Sequence, residues 1–167
     1  AETPEPTTDE VKTDEAAEAS GVDRSKLAAF ATLPANMEDS NNPITPEKVS
    51  LGKMLYYETR VSKNHDISCN SCHDVTKFGV DGQPTSPGHK GQRGGRNSPT
   101  VYNAGGHIAQ FWDGRAANLQ AQAKGPILNP IEMALPDEAA ALAVVRSMPE
   151  YVAAFGKAFP GANPITY

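Results

Sequence analysis

The sequence predicts an all-α domain: short helices joined by long, punctuated loops, around a core that side chains fill only in part. Three observations predict this. Hydrophobic residues make up 38% of the 167, below the usual share of a globular chain. Glycine and proline each occur fourteen times, which cuts regular structure into short pieces. No stretch alternates apolar and polar residues over a strand's length, whereas several repeat apolar positions at helical spacing. The length suits one domain, and something other than side chains is expected to complete its core.

The elements follow in order. Residues 1–20 carry seven acids against Lys12 alone, so this stretch holds the whole net charge of −5 and one unit more. It is rich in Thr, Ala and Pro, and without an aromatic it has little to bury. An acidic disordered leader is expected over 1–21, followed by the folded domain over 22–167. "DRSKLAAFATLP" (23–34) reads as a short helix capped by Asp23 or Ser25, with Leu27, Phe30 and Ala31 on one face and Pro34 as its stop. In "TPEKVSLGKMLYYETR" (45–60), Thr45 is the expected N-cap and Pro46 suits the first helical position. Glu47 complements the helix dipole, and Leu51, Met54 and Leu55 recur at helical spacing.

Residues 74–107 are loaded with Gly, Pro, Ser and Asn. A loop of this length in a compact domain usually binds something or is disordered. Helices are next expected over about 116–124, stopped by Gly125-Pro126, then over 135–148 and 149–159, with Pro136 and Pro149 near their starts. The longest apolar run, 139–145, ends at Arg146 and falls far short of the roughly 20 residues that cross a bilayer. No basic face interleaved with aromatics suggests nucleic acid. There is no initiator Met, basic n-region or apolar h-region; the opening "AETPEP" fits a mature chain whose signal has been removed.

Both cysteines lie in "DISCNSCHDV", residues 66–75, as Cys69-x-x-Cys72-His73. Three chemistries use this spacing. A zinc site needs about four ligands, and Cys69, Cys72 and a histidine still want a fourth, so zinc stays open but unforced. A redox dithiol belongs in a βαβ unit, and none is legible. Covalent c-type haem attachment uses every part of the motif. One helical turn between the thiols matches the edge carrying the two vinyl groups, and the following imidazole faces the iron. The fold expected is therefore a cytochrome c-like helical domain around one covalent haem c. Covalent haem addition implies export to the periplasm or an equivalent compartment.

His73 takes one axial position, and the other decides function, since a firm sixth ligand makes an electron carrier and a removable one permits peroxide chemistry. The candidates are His65, His89, His107, Met133 and Met148. Met133 lies at a distance typical of small electron-transfer cytochromes. Glu132 beside it, however, is costly against a low-dielectric haem face unless it is used. His89 sits in "SPGHKGQRGG", a glycine-rich loop able to swing.

Four stretches resemble the bacterial dihaem cytochrome c peroxidases: "LGKMLYYETRVSKNHDISCNSCHD", "GQRGGRNSPTVYNA", "FWDGRAANLQAQAKGPILNPIEM" and the closing "PITY". The resemblance covers about residues 45–167. It implies reduction of hydrogen peroxide with electrons from a small cytochrome c or cupredoxin. It also implies two haem domains, a homodimer at full length, and a calcium ion at the domain boundary. Cys69 and Cys72 then attach the peroxidatic haem, and His73 is its proximal ligand. His89 matches the distal ligand that leaves when the other haem is reduced. Gln122 and Glu132 match the polar pair of the peroxide pocket. Trp112 matches the tryptophan between the haems, and Asn97 a calcium ligand. Glu132 has the chemistry for its part, because one carboxylate can take a proton from the near oxygen of peroxide and return it to the far one. Gln122 can donate a hydrogen bond to the polarised oxygen. No second Cys-x-x-Cys-His follows, and the chain stops at Tyr167, where members of the family continue for about another domain. The N-terminal, peroxidatic half is expected. A monohaem electron carrier is the alternative. A relative that oxidises protein residues while maturing another enzyme's cofactor is a third reading.

Overall fold

A computed structural model describes residues 23–167. The leader expected over 1–21, and the domain boundary after it, lie outside the described residues. Contacts divide the chain into two units, residues 1–36 and 37–167. The described part of the first contains a 3₁₀ helix, Arg24–Phe30, inside the stretch where a short helix is expected. Asp23 opens it, its carboxylate accepting from the Ser25 N–H and hydroxyl at 3.0 and 2.6 Å. Phe30, assigned to an apolar face, is 82% exposed.

The second unit holds five α-helices among its described residues. α1, Pro46–Tyr56, starts as predicted: the Thr45 hydroxyl accepts from Lys48 N–H at 3.2 Å, with Pro46 in the first turn. Leu51 is buried, and Met54 and Leu55 pack on the core. The helix ends before residue 60, giving way to a 3₁₀ turn, Thr59–Val61, opened by the Glu58 carboxylate. α2 is the single turn Cys69–Cys72. α3, Leu119–Leu128, begins later than expected, where the Asn118 side chain accepts from Ala121 N–H at 2.9 Å, and runs through Gly125-Pro126 rather than stopping there. Proline removes one donor, but the chain doubles back and satisfies the end of the helix from outside. Met133 N–H donates to Pro126 C=O and Leu135 N–H to Ile127 C=O, at 3.1 and 2.9 Å. α4, Glu138–Arg146, is capped by Asp137, and α5, Pro149–Ala158, begins on its proline.

α1 packs on α5, α5 on α4, and the Thr59–Val61 turn on α4. Their shared core contains Leu51, Val61, Met133, Val145, Met148 and Tyr151. Between Cys69 and Glu132 the only buried apolar side chain among the described residues is Ala116. No strand forms there either, only the isolated bridges Pro87–Arg93 and Gln110–Ala116.

Candidate haem and peroxide site

The attachment motif is presented by a small buried scaffold. Ser62, 1% exposed, accepts from the N–H groups of Asp66 and Ile67 and donates to Thr59 C=O. This turns the chain so that Ser68 enters α2. The Ser71 hydroxyl accepts from Ser68 N–H at 3.0 Å, and His73 N–H closes the turn on Cys69 C=O at 3.0 Å. The thiols of Cys69 and Cys72 are unpaired and half-buried, one helical turn apart. Burial pushes both thiols above the ordinary cysteine range.

His73 Nδ1 lies 3.0 Å from Pro99 C=O. A carbonyl can only accept, so Nδ1 carries the proton and Nε2 keeps the lone pair that binds a metal. The stretch around Pro99 is fastened to the segment after the motif. Thr100 donates its hydroxyl to Phe78 C=O at 2.6 Å, and Tyr102 donates to Val75 C=O. Gly79, at φ +73, admits this approach, since a Cβ there would lie 2.9 Å from the Val101 side chain. Tyr56 of α1 donates to His73 C=O. The glycine- and proline-rich segment is therefore ordered by hydrogen bonds to the motif.

His89 is 6% exposed, and its loop is bound to the segment carrying Glu132. His89 N–H reaches the carbonyls of Ile131 and Glu132, both at 2.9 Å. Gly88 is required beside it, because a Cβ there would sit 2.0 Å from Ile131 O. Gln92 closes the loop: its C=O accepts from Gly88 N–H at 2.8 Å, and its amide donates to His89 C=O at 3.1 Å. His65 and His107 are exposed. Met133 and Met148 are buried in the side-chain core.

Glu132 lines an open cavity of about 600 Å³ with Phe111, Arg115, Pro126 and Asn129. Burial pushes its carboxyl above the ordinary range, opposed by the charge of Arg115, a hydrogen bond from Asn129 and the nearby His73. The Arg115 guanidinium stacks 3.5 Å from the Phe111 ring and pairs with Asp113 at 2.8 Å. Gln122 is half-buried on α3, one residue from the cavity-lining Ala121, and Asn129 donates to the Glu132 carboxylate at 2.9 Å. Trp112 is 64% exposed rather than packed in a core, and its indole N–H donates to Asn97 C=O at 2.8 Å. Asn97 Nδ2 donates to Gln83 C=O at 2.7 Å, leaving Oδ1 as the oxygen this side chain could offer a cation. Calcium takes six to eight oxygens, and no cluster of three or more acidic, histidine or cysteine ligands occurs among the described residues. Asn97 alone does not build that site.

A haem fits the residues present. Two unpaired thiols and an oriented imidazole are the parts a covalent haem needs, while buried His89 joins the Glu132 segment through its backbone and lines a separate cavity of about 500 Å³ with Lys63, Gln92, Leu128 and Pro130.

The model of the di-haem cytochrome c peroxidase family matches residues 46–167. The chain belongs to this family. It is 46% identical over 142 residues to the cytochrome c551 peroxidase of Pseudomonas aeruginosa, covering 84% of this chain and 41% of that protein. The same-named protein of Nitrosomonas europaea is 47% identical over 148 residues, with coverages of 83% and 43%. The methylamine utilization protein MauG of Methylorubrum extorquens is 35% identical, with coverages of 89% and 42%. A crystal structure of a MauG-like protein associated with microbial copper homeostasis aligns with a TM-score of 0.73 at 33% identity, over 80% of this chain and 40% of that one. The chain thus spans about two fifths of the length of these relatives. Their helical fold is the one expected.

The sequence reading missed Pro99, Gln92 and Asn129. Pro99 and Gln92 act through main-chain or amide groups that leave no trace in residue type. Asn129 precedes a proline, a turn signal, three residues before Glu132.

Proposed function

We propose that the chain is the peroxidatic-haem domain of a periplasmic enzyme that reduces hydrogen peroxide to two waters. Two electrons, entering from a small cytochrome c or cupredoxin through a second haem domain, and two protons balance the reaction. The observation that carries this reading is the joint anchoring of buried His89 and Glu132, whose backbones bond directly at 2.9 Å.

Cys69 and Cys72 would hold the haem by thioether bonds, and His73 Nε2 would ligate its iron. When bound, that haem supplies the redox chemistry that cleaves the O–O bond. Pro99 C=O keeps the His73 proton on Nδ1 and aims the ring. His89 would offer that haem a second imidazole, and loss of this imidazole would open a place for peroxide beside Glu132. Glu132 then takes a proton from the near oxygen of peroxide and delivers it to the far oxygen. Its half-buried position holds its proton affinity above that of an exposed carboxylate, which suits it to both roles. Gln122 donates a hydrogen bond as charge develops. Asn97 gives one oxygen to a calcium ion completed by residues beyond this half, and Trp112 faces the second haem domain of a homodimeric enzyme.

The test is Glu132→Gln in the full-length haem-loaded enzyme, assayed with peroxide and reduced cytochrome c. Loss of 10²–10⁴-fold in kcat/KM is expected. In oxidised and half-reduced protein, electron paramagnetic resonance should show low-spin His/His iron giving way to high-spin iron. A permanent low-spin signal would instead identify an electron carrier.

A further inference from the structure

Asn129 spends almost every polar group it has on the turn that carries Glu132. Its N–H donates to Gly125 C=O at 3.0 Å, ending α3. Its C=O accepts from both Glu132 N–H and Ala134 N–H, each at 3.0 Å. The side-chain oxygen accepts from Ile131 N–H at 3.0 Å, and the side-chain nitrogen donates to Glu132 Oε1 at 2.9 Å. A turn needs the first four of these bonds. It does not need the fifth, which leaves the turn and grips the carboxylate itself. Asn129 and Glu132 line the same cavity, and the side chain is half-buried, so water competes weakly for that bond.

We infer that Asn129 is a positioning residue for peroxide reduction: its amide holds one oxygen of the Glu132 carboxylate and leaves the other, Oε2, to exchange protons with peroxide. A free carboxylate rotates about its last torsion, which has broad minima. A single donor on Oε1 selects one orientation, and a pre-oriented group loses less freedom on reaching the transition state. Arg115, the cation lining the same cavity, is held by its bonds to Asp113 and its stack on Phe111. It can raise the local potential without competing for Oε1.

The inference rests on Glu132 being the proton carrier, and the experiment separates the two. In the full-length haem-loaded enzyme, Glu132→Gln is measured first; wild-type turnover in that variant removes the proton carrier and the inference with it. Asn129→Asp keeps an oxygen for Ile131 N–H and deletes the donor. Asn129→Ser does the same without adding charge, its hydroxyl serving the turn but too short to reach Glu132. Asn129→Ser is expected to lower kcat for peroxide about tenfold, with KM for the electron donor and the melting temperature unchanged; Asn129→Asp, which sets a second carboxylate against Glu132, should lower kcat further. Neither should add to the loss in the Glu132→Gln background. Infrared carboxylate bands, assigned by subtracting the Glu132→Gln spectrum, should shift in Asn129→Ser. Three results overturn the inference: losses that multiply in the double variants, carboxylate bands that do not move, or full activity in Asn129→Ser.

Discussion

Two regions of the second unit are stabilised in opposite ways. α1, α4, α5 and the segment around Met133–Leu135 bury their apolar side chains against one another, down to 2% exposure at Tyr151 and 3% at Leu51. The stretch from Cys69 to Glu132 leaves Phe78, Ile108 and Trp112 exposed and buries His89 and Gln110 instead. The first region is a side-chain core of ordinary kind. The second is a framework of hydrogen bonds around two thiols and two histidines, with the hydrophobic contribution left, on the proposed reading, to the haem. A low apolar content can therefore mean that the missing core is covalently added rather than that the chain is disordered.

The largest expected effect comes from removing that addition. Cys69→Ser with Cys72→Ser should abolish covalent haem and make residues 74–132 the site of proteolytic cleavage, while α1, α4 and α5 remain protected. Limited proteolysis read by mass spectrometry decides this, and equal cleavage in both regions would erase the distinction. Next, Leu51→Ala should cost about 2–5 kcal/mol in denaturant unfolding, with the haem spectrum unchanged. Third, Gly88→Ala should cost about 1–3 kcal/mol, because its Cβ would strike Ile131 O, and should raise the high-spin fraction of the oxidised iron. Gly94→Ala, where a Cβ meets nothing within 4 Å, is the control and should change neither.

The smallest effect is electrostatic and belongs to the helical region. Bonds from Arg60 and Tyr151 hold the Glu58 carboxyl down to about 2. A folded value below the unfolded one means that the stabilisation is present above about pH 4.5 and lost as pH falls toward 2. Glu58→Gln should lower stability by under about 1 kcal/mol at neutral pH, and the difference should vanish near pH 2. Chemical denaturation across that range measures it.

This division explains what could be read from residue types. Thr45-Pro46 and Pro149 mark helix starts by local chemistry and Leu51 marks a buried face, so much of the helical region was legible; the helix expected from 135 starts only at Glu138, behind the Asp137 cap that the reading passed over. In the other region the motif pointed to its cofactor, and His89 was singled out by its glycine-rich loop, since His65 and His107 share its residue type. The order of the glycine-rich segment was not legible, because it comes from carbonyls such as those of Val75, Phe78 and Pro99, which every residue possesses. The end of α3 was misjudged for the same reason: Gly125-Pro126 is a stop only when nothing returns to occupy the last carbonyls, and residues 133–135 do return. Trp112 could not be placed either, since an indole suits a core and an exposed face equally until its neighbours are known.

The bond from His73 Nδ1 ends on a main-chain oxygen, and that has a bearing on how the site can drift. No substitution at position 99 can delete the acceptor, since every amino acid would bring its own carbonyl. Mutation can only displace it. Changes in this corner should therefore tune the His73 ring by degrees, as the backbone shifts, instead of switching its hydrogen bond on or off.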